Sequence, residues 1–427
     1  MIRESALDRI LYQVKKLIPR SVFGFFQPMY HHLLAYGGAL RYGFPSRGMK
    51  VIGVTGTKGK STTVYLITKI LEDAGYSVAA IGSLGFKIKD KTWPNTLKMT
   101  MPGRFRLQKF LAAAKKAGCQ YVVLEVTSEG IKQKRHIGIL FDCAVFTNLH
   151  KEHLESHGSL EQYIKAKQEL FKVTEHAHIL NADDPYFGSF NAFPSEKKTT
   201  YGINTGDVRP EGLESHEDRS TFTLGSETVH LGLGGTFNVL NSLAAWSVGM
   251  LYDIRPAGMK KTLEGISSVP GRLEFIQKEP FAVVVDYAHT PDSLETVYKT
   301  LKHDGRKLIC ILGAAGGGRD KWKRPEFGAI AGRYCDEIFL TDEDPYDEEP
   351  NAILDQVQSG IRSDHTDVHR ILDRKEAIRA AIGAARPGDT VIITGKGSEV
   401  SMALAGGVKI PWSEEEIVRD ILASRSS

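Results

Sequence analysis

Residues 51–63, VIGVTGTKGKSTT, gather the residue types that bind phosphate. Gly56 and Gly59 permit a tight turn whose backbone N–H groups face an anion, Lys60 can neutralise that anion, and the Ser61 hydroxyl can reach Mg²⁺. The strict spacing G-x-x-x-x-G-K-[ST] is absent, because position 54 is Val. On these residues alone an ordinary Gly-rich turn capped by Ser or Thr stays open. Further along, Glu125, Thr127, Ser128 and Glu129 lie in and after CQYVVLEV, and His150, Glu152, His153 and His157 follow DCAVFTN. A hard cation sharing phosphate oxygens would use Ser61 and Glu125, with one imidazole such as His153 completing its shell. The spacing of His150, His153 and His157 also admits zinc, though no cysteine supports it.

The elements that must position these groups follow from periodicity. Val51, Ile52 and Val54, interrupted by Gly53, predict a buried strand, and YLITKILEDAG predicts a helix ending at Gly75, so the Gly turn joins strand to helix. YSVAAIG, CQYVVLEV, FDCAVFTN and HAHILNA predict further strands, separated by amphipathic segments such as FRLQKFLAAAKKAG. SSVPG at 267–271 marks a break. A second alternating series follows, with strands at AVVVDYA, KLICILG, EIFLT and TVIITG and helices at LETVYKTLK and AIRAAIGAA. The pattern predicts two successive α/β domains with mainly parallel sheets and ligands at the strand carboxyl ends. We divide the chain into an atypical N-terminal segment 1–48, a central domain 49–270 and a C-terminal domain 271–427. In the first segment LDRILYQVKKLI suits a short amphipathic helix ended by Pro19. VFGFFQPMYHHLLAYGGALRYGFP is rich in aromatics and Gly; it suits packing on the next domain, with a membrane-surface or partner patch as the other reading. His31 and His32 are adjacent, point in different directions and make a poor metal pair.

The 427 residues suffice for two or three domains, and a net charge of +4 without a long basic run gives no reason to expect nucleic acid. Cys119, Cys143, Cys310 and Cys335 are far apart and lack C-x-x-C spacing, so we expect neither a zinc ribbon nor a disulfide framework. No apolar run reaches the length of a membrane span, and Glu4 and Asp8 do not suit a signal peptide. A cytoplasmic, monomeric protein is expected.

TGTKGKSTT, LEVTSEG, AVFTNLHKEHLESHGSLEQYIKAKQELF, LNADDP, GTFNVLNSLAA, VPGRLE, VDYAHTPDSLE, GGGRDKWKRPEFG and TGKGSE occur in an order that resembles the Mur ligases, over roughly residues 49 to 415. The resemblance is closest to the branch adding the third residue of the peptidoglycan stem peptide. It implies a central P-loop ATPase domain followed by a Rossmann-like C-terminal domain. It also implies ATP and Mg²⁺, a muramyl-peptide nucleotide and an amino acid as substrates, and an acyl-phosphate route.

By matched position, Thr57, Lys58, Gly59, Lys60 and Thr62 join Gly56 and Ser61 around the ATP phosphates. Ser61 and Glu125 hold one Mg²⁺, and His153 serves a second. Lys167 falls where the family carries a carbamylated lysine. Asn238 and Asn241 match residues near adenine, Arg272 and Asp286 residues reaching the phosphates and ribose, and Tyr287 and His289 lie beside them. Thr100, Thr127, Ser128 and Gly395 fall among substrate contacts, and Arg319 and Glu399 match groups that take the carboxylate and amine of the incoming amino acid.

Several positions depart from the family. Lys58 replaces Asn, Glu152 replaces Asp, and Thr127-Ser128-Glu129 replaces Ser-Ser-His. Only 48 residues precede the loop, where the family has a uridine-gripping domain. Glu343-Asp344-Pro345-Tyr346 stands where diaminopimelate enzymes carry Asp-Asn-Pro-Arg, which removes a fork for a distal carboxylate and favours a side chain ending in an amine. Two other readings remain: a folylpolyglutamate synthase-like ligase, which DYAHTP and GRDKWKRP fit less well, and a noncatalytic ATP-binding member of the fold. Retention of Lys60, Glu125, His153 and Lys167 argues against the latter.

Overall fold

The alternation read from the sequence becomes two sheets in succession. The computed structural model describes residues 20–97, 99–150, 157–318, 321–362 and 366–425, with side chains from residue 30 onward. The first sheet contains β1 (Lys50–Thr55), β2 (Val78–Gly82), β3 (Gly85–Ile88), β4 (Lys91–Trp93), β5 (Tyr121–Glu125), β6 (Cys143–Phe146), β7 (Ala177–Asn181) and β8 (Lys197–Tyr201). Their spatial order is β4-β3-β2-β5-β1-β6-β7-β8. From β2 to β8 all neighbours are parallel, while β3 and β4 form an antiparallel edge.

A strand buried on both faces must be apolar at every position. Successive residues accordingly feed opposite cores: Ile52, Val123 and Val145 enter one, while Val51, Val122 and Phe146 enter the other. Gly53 interrupts the run because Phe141 and Leu170 occupy its face. A Cβ there would stand 2.9 Å from the Phe141 ring.

An antiparallel sheet of β9 (Glu211–Ser215), β10 (Ser220–Leu224) and β11 (Glu227–Leu231) follows, then helices Thr236–Leu251 and Pro256–Glu264. The helix Thr236–Leu251 shares a core with the helix Lys60–Asp73, through Leu243 and Val239 against Ile67 and Ile70. At the predicted break the chain turns through a Val269–Arg272 bridge and Gly271, whose φ is 62°.

The second sheet contains β12 (Glu274–Gln277), β13 (Ala282–Val285), β14 (Leu308–Leu312), β15 (Glu337–Leu340), β16 (Asp367–Arg370) and β17 (Thr390–Ile393), in the order β12-β13-β17-β14-β15-β16. Apart from β12 its neighbours are parallel.

Two readings from the sequence need comment. Cys310, in β14, is disulfide-bonded to Cys335, at the end of the helix Lys323–Tyr334. The expectation of no disulfide is therefore corrected. Their separation of 25 residues hid the packing of that helix beside its strand. Cys119 and Cys143 are buried free thiols. The amphipathic pattern LDRILYQVKKLI lies outside the described residues. The aromatic stretch after it is the helix Arg20–Arg41, which packs near Phe105 through Gly38 and near Gly138 through Ala39.

Candidate active site

The phosphate-type loop runs between β1 and the helix Lys60–Asp73. Val54 lies inside β1, fully buried, so the turn begins only at Gly56. Gly56 (φ 152°) and Gly59 (φ 78°) occupy backbone conformations that disfavour a side chain. A Cβ on Gly56 would meet the Thr147 hydroxyl at 1.9 Å, and one on Gly59 the Asn241 amide oxygen at 2.3 Å. The cradle therefore needs both glycines. Lys60 Nζ donates to the carbonyls of Gly56 (2.9 Å) and Thr57 (2.7 Å), folding over the loop at the helix N-terminus. Ser61, in the first turn, accepts from Arg272 across the cleft at 3.4 Å.

Parallel register brings Glu125 to this loop, because Val54 in β1 pairs with Glu125 in β5. The carboxylate is 1% exposed and accepts from the Ser83 N–H (2.8 Å) and hydroxyl (3.3 Å). Ser83 in turn bonds Thr100 at 3.0 Å. Lys167, on the helix Leu160–Lys172, is buried; its Nζ donates to Gly56 O at 2.6 Å and lies 4.6 Å from the Tyr163 ring centre. The Tyr163 hydroxyl bonds Thr57 at 3.0 Å. Thr127 caps the helix Ser128–Lys132, and Ser128 bonds His157 at 3.1 Å.

His153 and Arg319 lie outside the described residues. His150 faces Asp292 (3.5 Å), so His150 and His157 have different partners and do not converge as a zinc pair. Among the described residues no three His, Cys, Asp or Glu side chains gather as a metal set. A magnesium ion bound largely through phosphate oxygens needs fewer protein ligands than that. The buried Glu125 carboxylate and the Ser61 hydroxyl suit it.

On the second sheet, Asp286 follows β13, buried, and accepts from the N–H groups of Leu273 (2.6 Å) and Ala288 (2.7 Å). Burial raises its pKa, opposed chiefly by Arg272. The Arg272 guanidinium lies over the Tyr287 ring at 4.4 Å, and His289 bonds the Tyr287 carbonyl at 2.8 Å. Asn241 bonds Asn238 at 3.3 Å, and Asn238 is tied to Gly234 O at 2.8 Å.

Glu343 and Asp344 follow β15, while Gly395 and Glu399 follow β17. Lys396, fully buried, binds Asp344 (2.9 Å) and Glu399 (2.7 Å) and so joins the two loops. Removing one partner of such a buried pair typically costs about 3–5 kcal/mol. Asp344 also accepts from the Ala403 N–H at 2.6 Å, so its carboxylate is held within the protein. Tyr346 does not line the cleft; its ring packs on Gly317.

These groups surround one cavity of about 1260 Å³. Its lining includes the Thr57–Thr62 loop, Glu125, Lys167, Asn241, Asp286 and Glu343, together with the other described candidate residues except Gly56, His157 and Tyr346. Several buried cations escaped sequence reading, since Lys and Arg default to the surface. Arg135 donates to Met101 O and Gln133 (2.8 Å) beside Thr127. Arg324 ties Ala315 O (2.9 Å) to Glu348 (3.0 Å), and Arg374 joins Glu414 (2.7 Å) to Thr394 O (2.7 Å). Only Arg324 lies in a stretch singled out from the sequence, GGGRDKWKRPEFG.

Burial drives the Glu343 carboxyl up to about 7 from 4.5, with Arg374 and Lys396 pulling the other way. A raised carboxyl pKa means the folded state holds its proton longer than the unfolded chain, so this group's contribution falls as pH rises from about 4.5 through 7. Glu343→Gln, which carries no such proton, is expected to gain stability relative to the parent between pH 4 and 8, by on the order of 3 kcal/mol. Urea unfolding at both pH values measures this. A difference that does not change with pH contradicts it.

A phosphate-type loop on one mainly parallel sheet, facing a second mainly parallel sheet across a shared cleft with acidic loops, is an arrangement suited to ATP-dependent phosphoryl transfer. Comparison with known proteins gives the family. The Mur ligase middle domain matches residues 54–249, and the Mur ligase glutamate ligase domain matches residues 271–397. UDP-N-acetylmuramyl-tripeptide synthetase of Roseiflexus sp. (strain RS-1) is 38% identical over 418 residues, covering 91% of this chain and 82% of the relative. UDP-N-acetylmuramoyl-L-alanyl-D-glutamate–2,6-diaminopimelate ligase of Thermosynechococcus vestitus is 40% identical over 400 residues, covering 90% and 79%. A solved UDP-N-acetylmuramoyl-L-alanyl-D-glutamate–2,6-diaminopimelate ligase superposes with a TM-score of 0.62 at 32% identity, over 89% of this chain and 80% of the other. Folylpolyglutamate synthase of Mycobacterium tuberculosis superposes at 0.69 over 85% and 92%, but at 16% identity, which speaks for the fold alone. The chain belongs to the Mur ligase family.

Proposed function

We propose that the protein joins the free carboxylate of a UDP-N-acetylmuramoyl-dipeptide-like substrate to the amine of an amino acid, converting ATP to ADP and phosphate, in cytoplasmic peptidoglycan precursor synthesis. The observation that carries this reading is the single cleft: one cavity holds the phosphate loop, Glu125, Lys167 and the acidic loops of the second sheet.

A carboxylate oxygen leaves poorly and phosphate leaves well. The substrate carboxylate would attack the γ-phosphorus and release ADP; the amine nitrogen would then attack the acyl carbon, expel phosphate and lose a proton. Lys60 would hold the β- and γ-phosphates. Ser61 and Glu125 would hold one Mg²⁺, and His153 with a carbamylated Lys167 a second; when bound, the ions neutralise phosphoryl charge. Asn238 and Asn241 would face adenine. Arg272 and Asp286, with Tyr287 and His289, would approach the nucleotide from the other sheet, so closure of the cleft would shield the acyl phosphate from water.

Thr100, Thr127 and Ser128 would contact the muramyl peptide, and the buried Arg135, bonded to Met101 O and Gln133, lines the same part of the cleft. ATP turnover that requires both a muramyl dipeptide nucleotide and an amino acid tests the proposal. Turnover with a folate, and none with the nucleotide, would reject it in favour of the folylpolyglutamate reading.

Arg319 and Glu399 would receive the zwitterionic end of the acceptor, near Gly395. Asp344 and Glu399 both pair with Lys396, and Glu343 lines the cleft beside them. With Tyr where the diaminopimelate enzymes carry Arg, lysine or ornithine is expected to exceed meso-diaminopimelate in kcat/KM. A tenfold preference of the parent enzyme for diaminopimelate, about 1.4 kcal/mol in transition-state terms, would show that this reading of the acceptor pocket is wrong.

A further inference from the structure

We propose that the C-terminal half of the helix Arg20–Arg41, with the loop beside it, docks on the surface of an anionic lipid bilayer. The inner face of this helix is spent on the protein. His31, Ala35 and Ala39 are buried, and Gly38 lies against Phe105. The outer face repeats at helical spacing with apolar residues: Leu33 is 65% exposed, Tyr36 54% and Leu40 64%. Leu140, 64% exposed, extends the same surface, since its N–H bonds Ser46 just beyond the helix. Of the ten large apolar side chains exposed among the described residues, these are four. Such clustering marks a contact surface; scattered apolar residues do not.

Cations frame the patch. Arg41 ends the helix, and the Arg47 guanidinium lies 4.7 Å from the ring centre of Phe44, which itself packs edge-on to Tyr36. By sequence, residues 1–48 contain seven basic residues (Arg3, Arg9, Lys15, Lys16, Arg20, Arg41, Arg47) and two acidic ones, Glu4 and Asp8. That surplus exceeds the +4 of the whole chain, so the remaining residues carry a slight net negative charge. A uniform apolar partner would not need this segregation. An anionic interface would, because it takes apolar side chains and aromatic rings at headgroup depth and basic side chains at the phosphates. Among the described residues no helix is long and apolar enough to cross a membrane, so the contact is peripheral.

The test is cosedimentation of the full chain with vesicles of phosphatidylcholine alone, or with about one lipid in three replaced by phosphatidylglycerol. The parent should pellet with the anionic vesicles, not with the neutral ones, and should be released by about 0.5 M salt. Leu33→Ser combined with Tyr36→Ser and Leu40→Ser should cut the bound fraction at least about fivefold, while Met250→Ser, at an exposed apolar side chain elsewhere, should not. Arg41→Glu with Arg47→Glu leaves the apolar face intact and should lose binding as well, which keeps the test decisive if the triple variant fails to fold. ATP turnover without vesicles should be unchanged, since none of these side chains lines the cleft. The proposal is overturned if the parent stays in the supernatant, if the triple and Met250 variants pellet alike, or if light scattering shows a dimer that the triple variant abolishes.

Discussion

Replacing Lys60 with alanine is expected to lower ATP-dependent ligation by at least two orders of magnitude and to leave the fold standing. The ammonium sits at the amino end of the helix Lys60–Asp73, bonded to the carbonyls of Gly56 and Thr57, so it is already poised over the loop. Arriving phosphate oxygens would compete for the same donors. Preorganised charge of this kind is commonly worth about 3 kcal/mol or more in the transition state, whereas Gly56 O keeps its bond from Lys167 and Thr57 lines the cleft, where water can replace the lost donor. Turnover should therefore collapse while the unfolding midpoint shifts little. Stopped-time assays of phosphate release, with a thermal melt alongside, decide the matter. Near-parental turnover in the variant would remove Lys60 from the mechanism.

The second large effect is expected at Lys167. Its amine is buried, with Gly56 O at 2.6 Å and the Tyr163 ring nearby. Carbamylation would keep one N–H on that nitrogen, so the bond to Gly56 can survive while two anionic oxygens turn toward the cleft. Lys167→Ala is expected to be nearly inactive, with partial recovery in high acetate or formate. Lys167→Arg, which cannot be carbamylated, should stay inactive. A carbamate carbon signal after exposure to ¹³C-labelled bicarbonate gives an independent reading in the parent. Full activity of the arginine variant excludes the carbamate.

Much of the scaffold was legible because parallel strands buried on both faces leave uninterrupted apolar runs, and CQYVVLEV and TVIITG became β5 and β17. The edge and the middle sheet were not. β4 (KTW) and β9 (EGLES) are short and polar, and their pairing depends on neighbours distant from any local signal. The helix Arg20–Arg41 was obscured by Gly37, Gly38 and Pro28, which ordinarily break helices; close approach to Phe105 gives Gly38 its use. In the site, the glycines, Lys60 and Glu125 carry their purpose in their spacing. Lys396, Arg324 and Arg374 do not, because a basic residue in a helix or loop looks solvated until a fold encloses it. The expectation that Glu343-Asp344-Pro345-Tyr346 favours an amine-ended side chain did not foresee the pairing of Asp344 with Lys396, for the same reason.

The cores of the molecule divide where the chain turns between the sheets: those of the first sheet reach Val269, and those of the second begin at Leu273, with Phe237 packing across. Beside Phe237 and the Ser61–Arg272 bond, an ionic contact between Lys58 and the exposed Asp292 at 3.8 Å spans the cleft. Such a contact is worth less than about 1 kcal/mol. If the halves part here, neither interior need crack, and the ADP and bulky product of the proposed reaction are expected to leave readily. An oily seam would have made a tighter chamber and a slower exit.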